Sequence, residues 1–210
     1  MKSTIRIAAL LSGGGRTLMN LIDRIDDVRL PARIDTVISS RDDAPGVERA
    51  RARGFRVHIA EDGDVSSLLD PERHDLVCLC GWLRHLRIEP WMHGRVMNIH
   101  PSLLPSFGGQ GMYGHRVHAA VIDAGVPSSG CTVHFVDETY DHGPVILQRA
   151  CTVEPTDTPE TLAARVFSLE CDVYPEAITL FSQGRLRLTG DRVQIAPPPH
   201  NDDEDGESTG

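Results

Sequence analysis

Ile5-Arg6-Ile7-Ala8-Ala9-Leu10-Leu11 is a near-continuous apolar run that breaks at Ser12-Gly13-Gly14-Gly15-Arg16-Thr17, after which Leu18, Leu21, Ile22 and Ile25 recur at helical spacing. A strand apolar on both faces, feeding a helix through a glycine turn, is the signature of a parallel sheet buried on both sides. Glycines there let backbone amides converge, and the helix N-terminus adds partial positive charge, so the turn suits an anion. Arg16 could add a charge-assisted contact and Thr17 a hydroxyl. The spelling is neither G-x-G-x-x-G nor a Walker loop, and a tight turn without a ligand is the alternative reading.

The same alternation continues outward. Strands are expected at Ile34–Ile38, Phe55–Ile59, Leu76–Cys80 and Val96–Ile99, with a short helix over Val47–Arg53. The fold class this predicts is α/β, a mostly parallel doubly wound sheet covered on both faces. Beyond residue 128, Cys131–Val136 and Val145–Cys151 read as an antiparallel hairpin attached to that sheet. Thr158-Pro159-Glu160 opens a long C-terminal helix, with Thr158 as N-cap and Pro159 at the first position. Leu162, Val166, Leu169 and Val173 mark its buried stripe, and Pro175 is expected to bend it near Tyr174. Arg185–Leu188 and Val193–Ile195 form a small terminal hairpin. One domain over 1–196 and an acidic, disordered tail over 197–210 are expected.

Composition narrows the function classes. With 40% hydrophobic and 24% charged residues in 210, the chain is ordinary globular material, and no apolar run is long enough to span a membrane. The formal charge of −9 argues against a nucleic-acid partner. Five of the acids (Asp202, Asp203, Glu204, Asp205, Glu207) sit in the tail, so the body is only mildly acidic. The five cysteines (Cys78, Cys80, Cys131, Cys151, Cys171) form no CxxC and occupy apolar contexts. They read as reduced, small hydrophobic residues in a cytoplasmic protein.

Asn98-Ile99-His100-Pro101-Ser102-Leu103-Leu104-Pro105 carries the chemistry. Alternation puts Asn98 and His100 on one face at the carboxyl end of a buried strand, an expensive place for polar groups unless they serve a ligand. Asp141, in the loop Asp137–Pro144, is placed to reach a neighbouring site, where contact with His100 would favour the imidazolium. Asn98 and a charged His100 as donors to a developing oxyanion, with a carboxylate beside them, suit acyl or formyl transfer. No covalent nucleophile is evident, Ser102 included.

These residues, with Asp141-His142-Gly143-Pro144-Val145-Ile146 and the Leu11–Thr17 loop, resemble the folate-dependent formyltransferases over roughly residues 5 to 188. The resemblance implies Asn98, His100 and Asp141 as the catalytic trio. It implies glycinamide ribonucleotide, a purine-biosynthesis intermediate, as acceptor, with its phosphate against Gly15, Arg16 and Thr17 and with Glu170 on the same substrate. It implies 10-formyltetrahydrofolate as the formyl donor, held by Leu83, Arg84, His85 and Leu86 beside Asn98 and Asp141, and direct attack of the amine on the formyl carbon. No metal is implied, and a homodimer is compatible. The chain's length suits a member without the extra domains of larger relatives.

Departures from the family pattern are Gly14 and Arg16 in the phosphate loop, a long glycine-rich Phe107–Gly114 that looks like a mobile loop near the substrate, and no match in Ala60–Leu69 for an arginine some relatives use. His115 and His118, at i and i+3, lack a third metal ligand and read as a solvated or substrate-side helix face. His134 is either turned to the site or a hydrogen-bonded strand histidine. Arg49, Arg51, Arg53 and Arg56 read as a solvated face. Another acceptor amine, such as an amino sugar nucleotide, and a non-catalytic nucleotide-binding protein are the competing functions.

Overall fold

The computed structural model describes residues 4–198. Seven strands form one sheet: β1 (Ile5–Leu11), β2 (Ala32–Ser39), β3 (Val57–Ile59), β4 (Leu76–Leu79), β5 (Val96–His100), β6 (Ser128–Phe135) and β7 (Val145–Thr152). Their order is β3-β2-β1-β4-β5-β6-β7. The pairs from β3 to β5 are parallel, while β6 runs antiparallel to both β5 and β7. The expected hairpin therefore extends the parallel sheet at its β5 edge. Helices α1 (Arg16–Asp26), α2 (Pro45–Ala52), α3 (His115–Asp123) and α4 (Pro159–Ser182) complete the domain, and β8 (Leu186–Thr189) pairs with β9 (Arg192–Ile195) in a separate hairpin. The expected tail from Pro199 onward lies outside the described residues.

Strand alternation sorts the core into two layers. Ile5, Ile7, Ala9 and Leu11 face one cluster with Leu18, Leu21, Val166, Tyr174 and Ile178, so helices cover that side. Ala8, Leu10, Val77 and Leu79 face the other cluster, closed by Val65, Leu69, Trp82, Leu86, Ile88 and Met92. This second face is doubly wound in topology but not in helix content. Among the described residues, segments 60–75 and 80–95 hold only the 3₁₀ turn Pro90–Met92 as a helical element. Pro71, Pro90, Gly63, Gly81 and Gly94 break any longer periodicity there.

Helix α4 starts as its sequence dictates, with Thr158 and Thr161 forming a reciprocal capping box. It then runs through Pro175 as one helix to Ser182. Proline lacks the donor for the carbonyl of Cys171, and that carbonyl instead accepts from Asn20 Nδ2 at 3.0 Å and Arg24 Nη2 at 3.1 Å. The group orphaned by the proline thus fastens α4 to α1. Tyr174, fully buried, donates its hydroxyl to the Met97 carbonyl at 2.9 Å and ties α4 to β5. The cysteines are free; Cys78, Cys80 and Cys131 are buried, and burial pushes the thiols of Cys78 and Cys131 up to about 12. Among the described residues no helix is long and apolar enough to cross a membrane.

The chain winds outward from β1 through β2 to β3, then returns to place β4 on the other side of β1. In such a sheet the crevice at the carboxyl ends of the strands flanking this reversal is where ligands bind. Ser12 pins the crevice: its amide donates to the Gly81 carbonyl at 3.0 Å, and its hydroxyl accepts from Ser40 and from the Leu83 amide.

Candidate active site

A cavity of about 750 Å³ opens at that crevice, bordered by the glycine turn, the ends of β4 and β5, the 109–114 loop, and inward faces of α3 and α4. At one end lies the glycine turn. Gly15 is left-handed, φ 70°, and a Cβ on it would sit 2.7 Å from the Gly46 Cα, so only glycine serves there. It also provides no side-chain cap for α1, which leaves the first-turn amides open to an external acceptor. Arg16 lies with its guanidinium 3.9 Å from the centre of the Phe167 ring, a cation–π shelf that aims it at the cavity. Arg49 is exposed, as expected of a solvated helix face, and it also borders the cavity, donating to the Gly14 carbonyl at 2.7 Å. Arg51 and Arg53 fit that expectation too, pairing with Asp42 and with Asp23 and Asp26.

The opposite end holds Asn98, His100 and Asp141. The antiparallel register sets Asn98 beside His134 and His100 beside Thr132. Asn98 Nδ2 faces His134 Nε2 at 3.1 Å and Asp141 Oδ1 at 3.3 Å. His134 Nδ1 donates to the Phe135 carbonyl at 2.8 Å, so Nε2 is the acceptor and holds the Asn98 amide nitrogen in place. Burial pushes the His134 pKa down despite its hydrogen bond to Phe135 and the Asp141 charge, which keeps this neutral tautomer. His134 is therefore both a hydrogen-bonded strand histidine and a contact of Asn98, so its two open readings hold together.

His100, 3% exposed, has Nδ1 3.3 Å from Asp141 Oδ2 and Nε2 2.9 Å from the Phe107 carbonyl. Both nitrogens thus face acceptors, an arrangement satisfied by a ring carrying hydrogen on each. Burial raises the Asp141 pKa, but its hydrogen bond to His100, the charge of that ring and the Gly109 amide at 2.9 Å outweigh it, and the net shift is downward. Phe107 and Asp141 are left-handed at φ 57° and 54°. Two strained non-glycine residues gripping one histidine are the kind of cost that functional sites carry. Ser102 is not aimed at the cavity; its hydroxyl donates to the Ser106 carbonyl. Thr132 braces the same turn, donating to the Ser102 carbonyl and accepting from the Leu104 amide.

Glu170 borders the cavity from α4, and burial lifts its carboxyl to about 7 against the pull of Arg16 and His100. Leu83 lines the main cavity, while Arg84, His85 and Leu86 line a small side pocket of about 60 Å³. The two spaces share Trp82, Asn98, Tyr140 and Asp141. Trp82 Nε1 is buried without a hydrogen-bond partner at this junction. Of the Phe107–Gly114 segment, residues 109–114 border the cavity. His115 pairs at the surface with Glu160 at 2.9 Å, whereas His118 turns inward, so the two do not share one solvated face. His142 is exposed and pairs with Asp137. Among the described residues no group of three His, Cys, Asp or Glu side chains is arranged to hold a metal.

A donor-lined recess, a histidine–carboxylate pair and, at the far end, a glycine turn beside Arg16 suit group transfer on an open α/β sheet. Comparison with known proteins places it: the formyl transferase family model matches residues 5–178, and the chain belongs to that family. Relatives that it matches include phosphoribosylglycinamide formyltransferases. It is 35% identical over 195 residues to the Haemophilus influenzae enzyme of that name, covering 87% of this chain and 90% of that one. It superimposes on the crystal structure of glycinamide ribonucleotide transformylase 1 from Symbiobacterium toebii with a TM-score of 0.83 at 40% identity, over 92% and 95% of the two chains. It is also 39% identical to part of the Bos taurus trifunctional purine biosynthetic protein adenosine-3, matching 87% of this chain but spanning only 19% of that protein's length.

Proposed function

We propose that the chain transfers the formyl group of 10-formyltetrahydrofolate to the amine of glycinamide ribonucleotide, in the cytoplasm, as a step of purine biosynthesis. The observation that carries this reading is the pairing of Asn98, His100 and Asp141 within hydrogen-bond reach at one end of a cavity whose other end is the glycine turn with Arg16. The acceptor's phosphate lies against the amides after Gly15 and against Arg16 and Thr17, with Arg49 behind them. Its amine then points toward Asn98. The unpartnered indole N–H of Trp82 and the side pocket beside it fit a polar heterocycle, so Trp82–Leu86 and Tyr140 hold the donor. The donor supplies an activated formyl carbon.

Around that carbon the chain's residues do the rest. The Asn98 contact to Asp141 is the longer of its two, and an oxygen gaining negative charge competes for that N–H. His100 places positive charge beside the same oxygen, held there by Asp141. The low exposure of the His100 and Asp141 side chains strengthens these interactions. The proton leaving the acceptor amine passes through this polar cluster to the departing nitrogen.

Arg16→Ala should raise the KM for the acceptor roughly ten- to a hundredfold, as loss of a charge-assisted contact does, with kcat little changed. Phe167→Leu should raise it only a few-fold, because it removes the shelf and keeps the charge. Equal KM values in steady-state assays of both variants and wild type would remove the phosphate from this end. Glu170 carries a stability cost instead. Its carboxyl titrates near 4.3 when unfolded and about 7 when folded, so its burial destabilises the protein increasingly as pH rises from about 4.5 to 7. Glu170→Gln should therefore raise Tm by a few degrees at pH 8 and by less at pH 5, while weakening acceptor binding. A Tm gain that is the same at both pH values would contradict this.

The reading itself is tested by mixing pure protein with 10-formyltetrahydrofolate and following donor absorbance. Turnover should require glycinamide ribonucleotide and should not appear with an amino sugar nucleotide in its place. Turnover with the sugar nucleotide alone would replace the acceptor.

A further inference from the structure

Helix α3 turns Val117, His118 and Val121 inward. Both valines are buried, Val121 in the main apolar cluster, but His118, 4% exposed, borders the cavity, and its Nδ1 is buried without a hydrogen-bond partner. A buried imidazole in an apolar stripe is costly where another valine would not be, and an unmet ring nitrogen adds to that cost. The position of the ring is informative. It lies close enough to Arg16 at the phosphate end and to His100 at the reaction end to feel both charges; burial, with those cations and His115, pushes its pKa down to about 4. Glu170, on α4, also responds to both Arg16 and His100, and it stands one turn beyond the Phe167 shelf. His118 and Glu170 thus border the middle of the cavity from neighbouring helices, between the two ends the acceptor bridges.

A neutral imidazole and a buried carboxyl are matched by hydroxyl groups, which can donate to one and accept from the other. We infer that His118 is a specificity-determining residue that hydrogen-bonds a sugar hydroxyl of the acceptor, between its phosphate at the glycine turn and its amine at Asn98. This rests on the acceptor proposed above.

The test compares glycinamide ribonucleotide with its 2′-deoxy and 3′-deoxy analogues in wild type and in His118→Leu. Wild type should show kcat/KM lower by roughly tenfold or more for at least one deoxy analogue, the usual effect of an unpaired buried polar group. His118→Leu should lose a similar factor on the ribose acceptor and shrink the ribo-to-deoxy ratio toward one, with the donor KM unmoved. A variant that keeps the wild-type ratio overturns the inference while leaving the acceptor in place. A wild type that does not use glycinamide ribonucleotide overturns both. Should His118→Leu fail to fold, the wild-type imidazole ¹⁵N signals of His118, assigned through His118→Asn, decide. They should shift on adding the ribose acceptor and shift less with the deoxy analogue that wild type disfavours; equal shifts overturn the inference.

Discussion

Replacing His100 with alanine is expected to lower kcat by about a thousandfold or more, with the fold and the binding of both substrates largely kept. The ring touches Asp141 through Nδ1 and the Phe107 carbonyl through Nε2, at the end of the cavity opposite the glycine turn. Its removal takes positive charge from the place where negative charge develops, and it leaves Asp141 buried without its main counter-group. Circular dichroism and a donor titration would separate lost chemistry from lost structure. A His100→Ala protein with more than a tenth of wild-type kcat would remove the histidine from the reaction.

Asp141→Asn is the companion experiment, and its expected loss is about a hundred- to a thousandfold in kcat. The amide keeps the shape and can still accept from the Gly109 amide, but it no longer neutralises His100, and its NH₂ group competes with Asn98 Nδ2. The pH behaviour follows from the sign of the shift. The Asp141 pKa is lowered in the fold, so its contribution to stability is fully present above the unfolded value near 3.9 and is lost as pH falls through the folded value. Between about pH 5 and 8 the carboxylate stays ionised, and the wild-type rate profile should contain no limb from Asp141. Acid unfolding gives the check: Asp141→Asn should lose less stability than wild type as pH falls from about 5 to 3, and an equal loss in both would contradict the account.

Some of this was legible in the residues. The glycine turn after an apolar strand located the crevice, because strand alternation and helical spacing are local properties. The same alternation placed Asn98 and His100 on one face. The role of His134 was not legible, since it depends on which strand pairs with β5 and in what register, and a single sequence does not carry that pairing. The contact of Arg49 with the glycine turn is illegible for a related reason: its helix is amphipathic on its own terms, and only the close approach of Gly46 to Gly15 brings it to that turn. The i, i+3 spacing grouped His115 with His118, yet a rotation of about sixty degrees between such positions is enough to expose one ring and bury the other. Pro175 marks the limit of a local rule: its missing donor is legible in the residues, but not that α1 supplies two donors to the carbonyl it leaves free.

The central claim is that Asn98, His100 and Asp141 move a formyl group straight from donor to acceptor amine. A rapid-quench single turnover with formyl-labelled 10-formyltetrahydrofolate and glycinamide ribonucleotide tests it most directly. Label should appear in the formylated ribonucleotide as fast as it leaves the donor, with none carried on the protein. Label retained on the protein before product forms, or donor consumed without label reaching the ribonucleotide, would contradict it.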